Sequence, residues 1–566
     1  MIEFSIDKLF FSGGQEIQCE KGSLIILIGA NSTGKSQALR DISRWLWEKN
    51  QDNLIAKVIS KVETHRIGDP QEWFNWMQSN FQEIVINGKS KWRTIDSETS
   101  IEDLNFAINH GNFEKQIGKF LARSLTTESR LMLTSPVERI DPLKEGVKNE
   151  LQILLYDSQK LSLINKQIQI AFQKDLIPDY GAGKEFRIYT GKEPERTIEN
   201  DRVSHAYLSQ LRQQTPLEQE GDGIRSFAAC LLATKCNPHK IFLIDEPEVF
   251  LHPPQAKRLG KFLADTAAQE KCQIIIATHS SDIIKGAISS GGKVQICRIE
   301  RKISKNNAYS LNNDEIRNLW NKPLLKSTDA IQGVFHKGVV ICEAETDCRF
   351  YEALLTQLDS IGNSEAADLH FVHGGGKSEL ATLATSYIHL YIPVAIIADF
   401  DVLRDKNEIK NIIVSLKGDF QQLEPLYKRV SANLNNLNAS KNKTDLSEEL
   451  RQLAIKIDTK QQVTSEIIES VSNLLQETRE WSEPKKYGIT ALKGEASQDC
   501  KELLKELAKI GLFIVPHGEM ESWDRSLPAK KSEWIKSALE AIDKDDNSFM
   551  EAQDFVKNIA LQLESM

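Results

Sequence analysis

Short apolar runs that end in glycine-rich or acidic residues recur along this chain and predict its strands. Ser23–Ile28, Lys240–Ile244 and Gln273–Ala277 form one group. Lys337–Cys342, Leu369–Val372, Pro393–Ala398 and Gly511–Pro516 form a second. An unbroken apolar run of this length suits a strand buried on both faces of a parallel sheet. Between the runs, apolar residues recur at helical spacing in Gln37–Leu46, Phe227–Ala233 and Cys348–Leu355. Strand, helix, strand order predicts an α/β fold with parallel sheets. Such sheets bind ligands beyond the carboxyl ends of their strands, so the residues just past each run carry the chemistry.

After the first run come Gly29-Ala30-Asn31-Ser32-Thr33-Gly34-Lys35-Ser36, a full match to G-x-x-x-x-G-K-[ST] between a strand and a helix. Backbone N–H groups at Gly29, Asn31, Ser32, Thr33 and Gly34 and the helix dipole favour an anion there. Lys35 is placed to reach the β- and γ-phosphates of ATP, and the Ser36 hydroxyl to ligate Mg²⁺. The second run ends in Asp245-Glu246-Pro247-Glu248. Asp245 is assigned to the Mg²⁺ shell and Glu246 to orienting the attacking water. The third run leads into Thr278-His279-Ser280, where His279 is placed to touch a γ-phosphate.

The second group of runs ends in acids. Glu343 and Asp347 follow one strand, and Asp399 and Asp401 follow another, with His373-Gly374-Gly375-Gly376-Lys377 between them. Four converging carboxylates repel one another unless divalent cations neutralise them, and hard oxygen ligands suit Mg²⁺ or Mn²⁺. Such ions activate water and stabilise the leaving oxygen of a phosphodiester.

Composition narrows the partners. A chain of 566 residues exceeds one core, so two or three domains are expected. With 71 Lys+Arg against 80 Asp+Glu the net charge is −9, which excludes a generic polyanion binder but not a local basic groove. Eight cysteines are scattered without a C-x-x-C pair, as reduced core thiols in a cytoplasmic protein would be. No apolar run reaches membrane-spanning length, and the N-terminus lacks a signal-peptide core. No membrane partner is expected.

The phosphate loop, Asp245–Pro253 and Ala277–Ser280 together resemble ABC-type ATPases of the SMC, Rad50 and RecF kind. The resemblance implies a signature segment, for which Glu220-Gly221-Asp222-Gly223-Ile224-Arg225-Ser226 is the candidate, with Gly223 facing ATP. In these ATPases the signature closes over ATP held by a second protomer, which implies a homodimer or higher homo-oligomer. Here Gly221-Asp222 replaces the usual serine, and Asp222 is expected to cap the following helix with its side chain. Residues 50–215 sustain no heptad run and are punctuated by Gly68-Asp69-Pro70, Ser135-Pro136 and Gly181-Ala182-Gly183. They read as compact helical insertions with a few short strands, not a coiled-coil arm.

The acids after residue 340 resemble the Toprim domain, whose Glu-Gly-x-Thr-Asp motif stands here as Glu343-Ala344-Glu345-Thr346-Asp347. An ABC-type ATPase followed by Toprim resembles the OLD (overcoming lysogenization defect) nucleases, including Gabija nuclease subunits and retron-associated effectors. The resemblance implies a catalytic lysine, for which Lys493 is the candidate, and further metal ligands, for which Glu519 and Glu521 stand. Implied domains are an ATPase over residues 1–325, with an insertion over about 50–215, and a Toprim nuclease over 330–566, with a helical insertion over about 405–485. In that second insertion Ile455, Ile457, Val463, Ile467, Ile468, Val471 and Leu474 recur at near-helical spacing. A solvated hairpin and a DNA or partner contact both fit it.

The expected function is an ATP-regulated, metal-dependent endonuclease in anti-phage defence, with Glu246, Glu343, Asp399 and Lys493 catalytic and DNA the favoured substrate. Cleavage of RNA, including tRNA, is the alternative among enzymes. An ATP-switched nucleic-acid-binding scaffold is the alternative outside them. A helicase subunit, or a reverse transcriptase with its msDNA, is a candidate partner.

Overall fold

The computed structural model describes residues 2–47, 57–86, 89–93, 98–109, 113–141, 149–197, 201–320, 329–360, 368–437, 450–452, 454–455, 457, 481–528, 530–544 and 547–566. The chain divides into two compact units, Met1–Trp320 and Asn321–Met566.

Two sheets of the first unit position its site. β1 (Glu3–Phe11), β2 (Glu16–Gln18) and β4 (Ile59–Ile67) pair antiparallel in the order β2-β1-β4. β3 (Ser23–Ile28), β5 (Ala122–Leu125), β6 (Ile241–Asp245), β7 (Gln273–Ala277), β8 (Lys293–Lys302) and β9 (Lys305–Leu311) form the larger sheet, in the order β9-β8-β3-β7-β6-β5. All its pairings are parallel except β8 with β9. All six residues of β3 are buried, as its unbroken apolar run requires. Alternate residues Ile25, Leu27, Leu243 and Ile275 join Phe4, Ile6 and Phe11 of β1 and Leu39, Ile42 and Leu46 of helix α1 (Lys35–Trp47) in one core. That period of two fixes the register and aims β3, β6 and β7 so that their carboxyl ends lie side by side.

Between α1 and β6 lie short helices, two small three-stranded sheets and a two-stranded ladder, and no described helix there exceeds 15 residues. β5 lies within the stretch read as an insertion yet belongs to the main sheet. Its sequence hides it: Arg123 interrupts the apolar run and is buried by pairing with Glu150 at 2.7 Å. Helix α2 (Thr127–Met132) follows β5, and α3 (Asp222–Cys236) precedes β6. Helices α4 (Pro253–Gln269) and α5 (Ser281–Ile288) flank β7.

In the second unit, β10 (Gly338–Cys342), β11 (Leu369–His373), β12 (Val394–Ala398) and β13 (Leu512–Ile514) form an all-parallel sheet ordered β11-β10-β12-β13. Helix α6 (Glu345–Ser360) follows β10, and α7 (Lys377–His389) follows β11. Helices α8 (Lys406–Ser415) and α9 (Phe420–Leu437) leave β12, α10 (Glu495–Lys509) returns to β13, and α11 (Lys531–Asp543) and α12 (Met550–Ser565) close the chain. Val340, Ala395 and Phe513 of the sheet pack with Phe350, Tyr351, Trp534 and Val556 in one core. Of the near-helical series, Ile455 and Ile457 are exposed, whereas Val463, Ile467, Ile468, Val471 and Leu474 lie outside the described residues.

Helices α4 and α5 touch backbone to backbone. A Cβ on Gly260 would stand 2.1 Å from the Ile283 carbonyl oxygen, and one on Gly286 would stand 1.8 Å from that of Lys257. We therefore expect Gly286→Ala to destabilise the first unit by about 1–3 kcal/mol, the range for overpacking a fitted contact. Chemical denaturation checks this, and an unchanged midpoint would mean the helices part without cost.

Candidate functional site

The phosphate loop takes a backbone that only its glycines adopt freely. Gly29 has φ 144° and Gly34 has φ 94°. A Cβ on Gly29 would also meet the Ile299 carbonyl oxygen at 2.3 Å. The Thr33 hydroxyl donates to the Ala30 carbonyl at 3.0 Å, and Asn306 Nδ2 donates to the Thr33 carbonyl at 2.6 Å. Asn31 and Ser32 are exposed at the tip. The buried Lys35 ammonium donates to the Gly29 and Ala30 carbonyls at 2.8 and 2.9 Å. The Ser36 hydroxyl donates to Asp245 Oδ1 at 2.8 Å. The two groups assigned to one Mg²⁺ shell thus touch across the sheet.

Glu246 stands at φ 45°, an unusual backbone for a residue with a Cβ. Its N–H donates to the Ala277 carbonyl at 2.9 Å. Its carbonyl accepts from Arg130 Nη2 at 2.8 Å, and Arg130 also donates to the Asp245 carbonyl and, at 3.4 Å, to the Ser226 hydroxyl. Arg130, fully buried on α2, therefore clamps the end of β6 to α3.

Glu248 binds the next strand end. Its Oε1 accepts from the Thr278 hydroxyl at 2.7 Å and from the His279 N–H at 2.9 Å. Burial pushes the Glu248 carboxyl up. Burial pulls the His279 imidazole down, the Lys35 charge adds to that, and Asp245 opposes it. Lys35, Ser36, Asp245 and His279 thus share one pocket of charge.

The signature segment differs from expectation at Asp222. Gly221 is the N-cap of α3 and makes no side-chain cap bond, while Asp222 is the first helical residue. Its carboxylate pairs with Arg225 Nη1 at 3.0 Å instead of capping the helix. A Cβ on Gly223 would meet the Phe250 carbonyl oxygen at 2.7 Å, so within this chain Gly223 packs against the turn after β6.

In the second unit, single ligand oxygens of Glu343, Asp399 and Asp401 lie within 4.8 Å of one another. β10 and β12 are adjacent and parallel, so the residues just beyond them meet. Glu343 Oε1 accepts the Asp399 N–H at 3.0 Å. Burial pushes the Glu343 carboxyl up to about 7, against the pull of Lys377. Burial also raises Asp399 well above the usual carboxylate range, and Glu343, Asp347 and Asp401 add to it. Asp347 is buried at the start of α6, where its Oδ2 accepts the Ala344 N–H at 3.0 Å. Glu345 points away, exposed and paired with Arg349 at 2.5 Å.

Glu519 and Glu521 follow β13, the neighbour of β12 on the far side from β10. The Phe400 N–H donates to the Gly518 carbonyl at 2.7 Å and ties the two acidic loops together. Three lysines face the acids. Lys377 pairs with Asp401. Lys485 lies 3.4 Å from Glu519, and Lys531 lies 3.0 Å from Asp347 and 3.8 Å from Glu521. Burial pulls the Lys531 ammonium down, but Asp347 and Glu521 outweigh it and hold it up. Lys493 is exposed just before α10 and makes no ion pair among the described residues. Sequence reasoning gave no role to Arg130, Glu248, Lys377, Lys485 or Lys531. Glu248 and Lys377 stood inside the motifs; the others carried no local signal.

Residues 24–285 match the family described as "AAA domain, putative AbiEii toxin, Type IV TA system". Residues 334–401 match "Overcoming lysogenization defect protein-like, TOPRIM domain". The chain is an OLD-family ATPase–Toprim protein. As such it is an enzyme, with an ATPase domain and a Toprim domain of nuclease type. No curated protein matches this OLD-family chain. Among solved structures it is similar to an SMC head bound to the C-terminal winged-helix domain of ScpA, at 12% identity over 55% of this chain and 99% of that chain, with a TM-score of 0.34. It is also similar to the SMC head domain from Thermotoga maritima, at 11% identity over 54% of this chain and 98% of that chain, with a TM-score of 0.28. Scores this low carry nothing further about the site.

Two outcomes are expected of the OLD-family chain. Glu248→Ala removes the acceptor for two hydrogen bonds that hold the His279 loop. It should slow ATP hydrolysis about tenfold, while Glu248→Gln, which keeps an oxygen there, retains most of the rate. Steady-state ATPase assays check this, and equal rates in both variants would remove Glu248 from the site.

The second concerns pH. A carboxyl raised on folding contributes stability that is fully present below its unfolded value and lost as pH rises through its folded value. For Glu343 that window runs from 4.5 to about 7. In chelator, Glu343→Gln should therefore melt higher than wild type above pH 7, with the gap shrinking toward pH 5. Added Mg²⁺ should stabilise wild type more above pH 7 than at pH 5. A gap independent of pH would contradict the burial of Glu343.

Proposed function

We propose that this chain is an ATP-regulated, divalent-metal-dependent endonuclease that cleaves DNA in defence against phage. The observation that carries the proposal is the half-buried Glu343, Asp399 and Asp401 cluster at adjacent parallel strand ends. Hard carboxylate oxygens this close suit Mg²⁺ or Mn²⁺, and buried acids that resist ionising alone are stabilised by such a cation. When bound, the ion supplies activation of water and neutralisation of the leaving oxygen. Glu343, Asp399 and Asp401 hold it. Asp347, Glu519 and Glu521 are the groups for a second ion, and the nearby Lys531 supports a role that the family resemblance assigned to Lys493. Lys377, Lys485 and Lys531 offset the acids and bring ammonium groups within reach of a phosphate.

In the ATPase domain, Ser36 and Asp245 hold the nucleotide's Mg²⁺, Lys35 and the loop amides hold its phosphates, and Glu246 orients water. Homodimer formation through the Gly223 surface fits the neighbouring Phe250 and Met132, which expose large apolar side chains. Phe250 also carries a φ of 71°, which fixes its turn. The ATPase domain spans 1–325 and the Toprim domain 330–566 in this reading. No helix among the described residues is long and apolar enough to cross a membrane.

The test is incubation of wild type, Glu246→Gln and Asp399→Asn with duplex DNA, single-stranded DNA and tRNA, in Mg²⁺ or Mn²⁺, with and without ATP. Asp399→Asn should lose cleavage by at least about a hundredfold and keep ATP hydrolysis, since it removes one ligand of the metal. Glu246→Gln should bind ATP and turn it over slowly. Cleavage of RNA alone would overturn the DNA assignment. No cleavage of any substrate by wild type would overturn the nuclease reading.

A further inference from the structure

Glu246 has a backbone that its own sequence disfavours. It carries a Cβ at φ 45°, in the left-handed region, and it stands before Pro247, whose ring pushes the preceding residue toward extended conformations. A residue stays in such a turn only where its surroundings hold it there, and such turns concentrate at working sites. Part of the hold is backbone. The Glu246 N–H donates to the Ala277 carbonyl at 2.9 Å, and its carbonyl accepts the Val249 N–H at 3.1 Å.

The rest comes from Arg130. Its Nη1 donates to the Asp245 carbonyl and its Nη2 to the Glu246 carbonyl at 2.8 Å, so one planar fork grips two successive peptides. The same guanidinium is anchored to the Ser226 hydroxyl through Nε and to the Thr127 hydroxyl through Nη2, both at 3.4 Å. Arg130 is fully buried, and every hydrogen bond it makes among the described residues goes to a neutral oxygen. Burying a charge against neutral oxygens alone is costly, and an apolar side chain would fill the same space without that cost. What arginine adds is the two-pronged grip. Its helix is fastened in turn, because Arg225 donates from α3 to the Leu131 carbonyl at 3.2 Å and to the Thr134 hydroxyl at 3.1 Å. Two arginines, one on each helix, thus lock α2 and α3 into one frame at the end of β6.

We propose that Arg130 is a positioning residue for ATP hydrolysis. Anchored on Ser226 of the signature helix, it holds the Glu246 backbone in its left-handed turn and so aims the Glu246 carboxylate at the attacking water. The proposal rests on the reading of Glu246 as the water-orienting group. Arg130 spends its N–H groups on protein oxygens, so it acts through Glu246 and not on the nucleotide.

The test measures steady-state ATP turnover and the binding of a fluorescent ATP analogue by the full chain. Arg130→Gln keeps N–H donors on one nitrogen and loses the fork. It should lower kcat at least about tenfold and change nucleotide affinity less than about twofold, with Arg130→Lys falling between it and wild type. In a Glu246→Gln background, Arg130→Gln should lower the residual rate less than about twofold, because the group it aims is already gone. An equal loss in both backgrounds, or a loss of affinity that accompanies the loss of kcat, would make Arg130 a purely structural residue and overturn the proposal. If both Arg130 variants melt too low to assay, Ser226→Ala decides, since it leaves the charge in place and frees one anchor. Its kcat should fall about threefold with Glu246 present and stay unchanged in Glu246→Gln; an unchanged kcat with Glu246 present would overturn the proposal. Wild-type turnover by Arg130→Gln beside slow turnover by Glu246→Gln would overturn the role of Arg130 alone. Wild-type turnover by Glu246→Gln would remove the water-orienting reading and this proposal with it.

Discussion

Mutual repulsion among clustered, partly buried carboxylates is the constraint around which the second unit is arranged. Glu343 and Asp399 lie at the ends of adjacent parallel strands, one accepting the other's backbone N–H, in surroundings that hold both carboxyls above their ordinary range. Such a pair is tolerable where it keeps a proton or stands beside positive charge. The chain brings that charge from three separate places: Lys377 at the start of α7, Lys485 before α10 and Lys531 at the start of α11. Helix α7 packs on β10 and β12, and Trp534 of α11 lies in the sheet's core, so for Lys377 and Lys531 the fold and the charge balance of the site depend on each other.

The first unit solves a related problem with backbone rather than charge. Its phosphate loop needs two glycines in the left-handed region and a strand, β8, close enough that no Cβ fits at Gly29. Glu246 is held at a positive φ by hydrogen bonds to its own N–H and carbonyl, and Arg130 extends that hold to α3. Arg130 thereby ties the end of β6 to α3 through hydrogen bonds from its buried guanidinium.

Much of this was legible in the sequence. Buried parallel strands announce themselves as unbroken apolar runs, and the ends of β3, β6, β10 and β12 were read from such runs together with the residues beyond them. β5 was not, because Arg123 breaks its run and is accommodated only by Glu150, a residue distant in sequence. The lysines and Arg130 were missed for the same reason: a long cationic side chain acts where its head reaches, and its neighbours in sequence do not report that place. Asp222 was misread because a helix-start aspartate can cap or pair, and the nearby Arg225 guanidinium decides for pairing. Lys493, taken from the family resemblance, is exposed, whereas Lys531 touches the acids.

The central claim, that the ends of β10 and β12 hold a divalent cation, is tested most directly by anomalous diffraction from crystals of the full chain grown with Mn²⁺. The account predicts a manganese peak bounded by Glu343, Asp399 and Asp401, lost in Asp399→Asn crystals grown the same way. Well-ordered carboxylates at full Mn²⁺ concentration with no peak between them would contradict it.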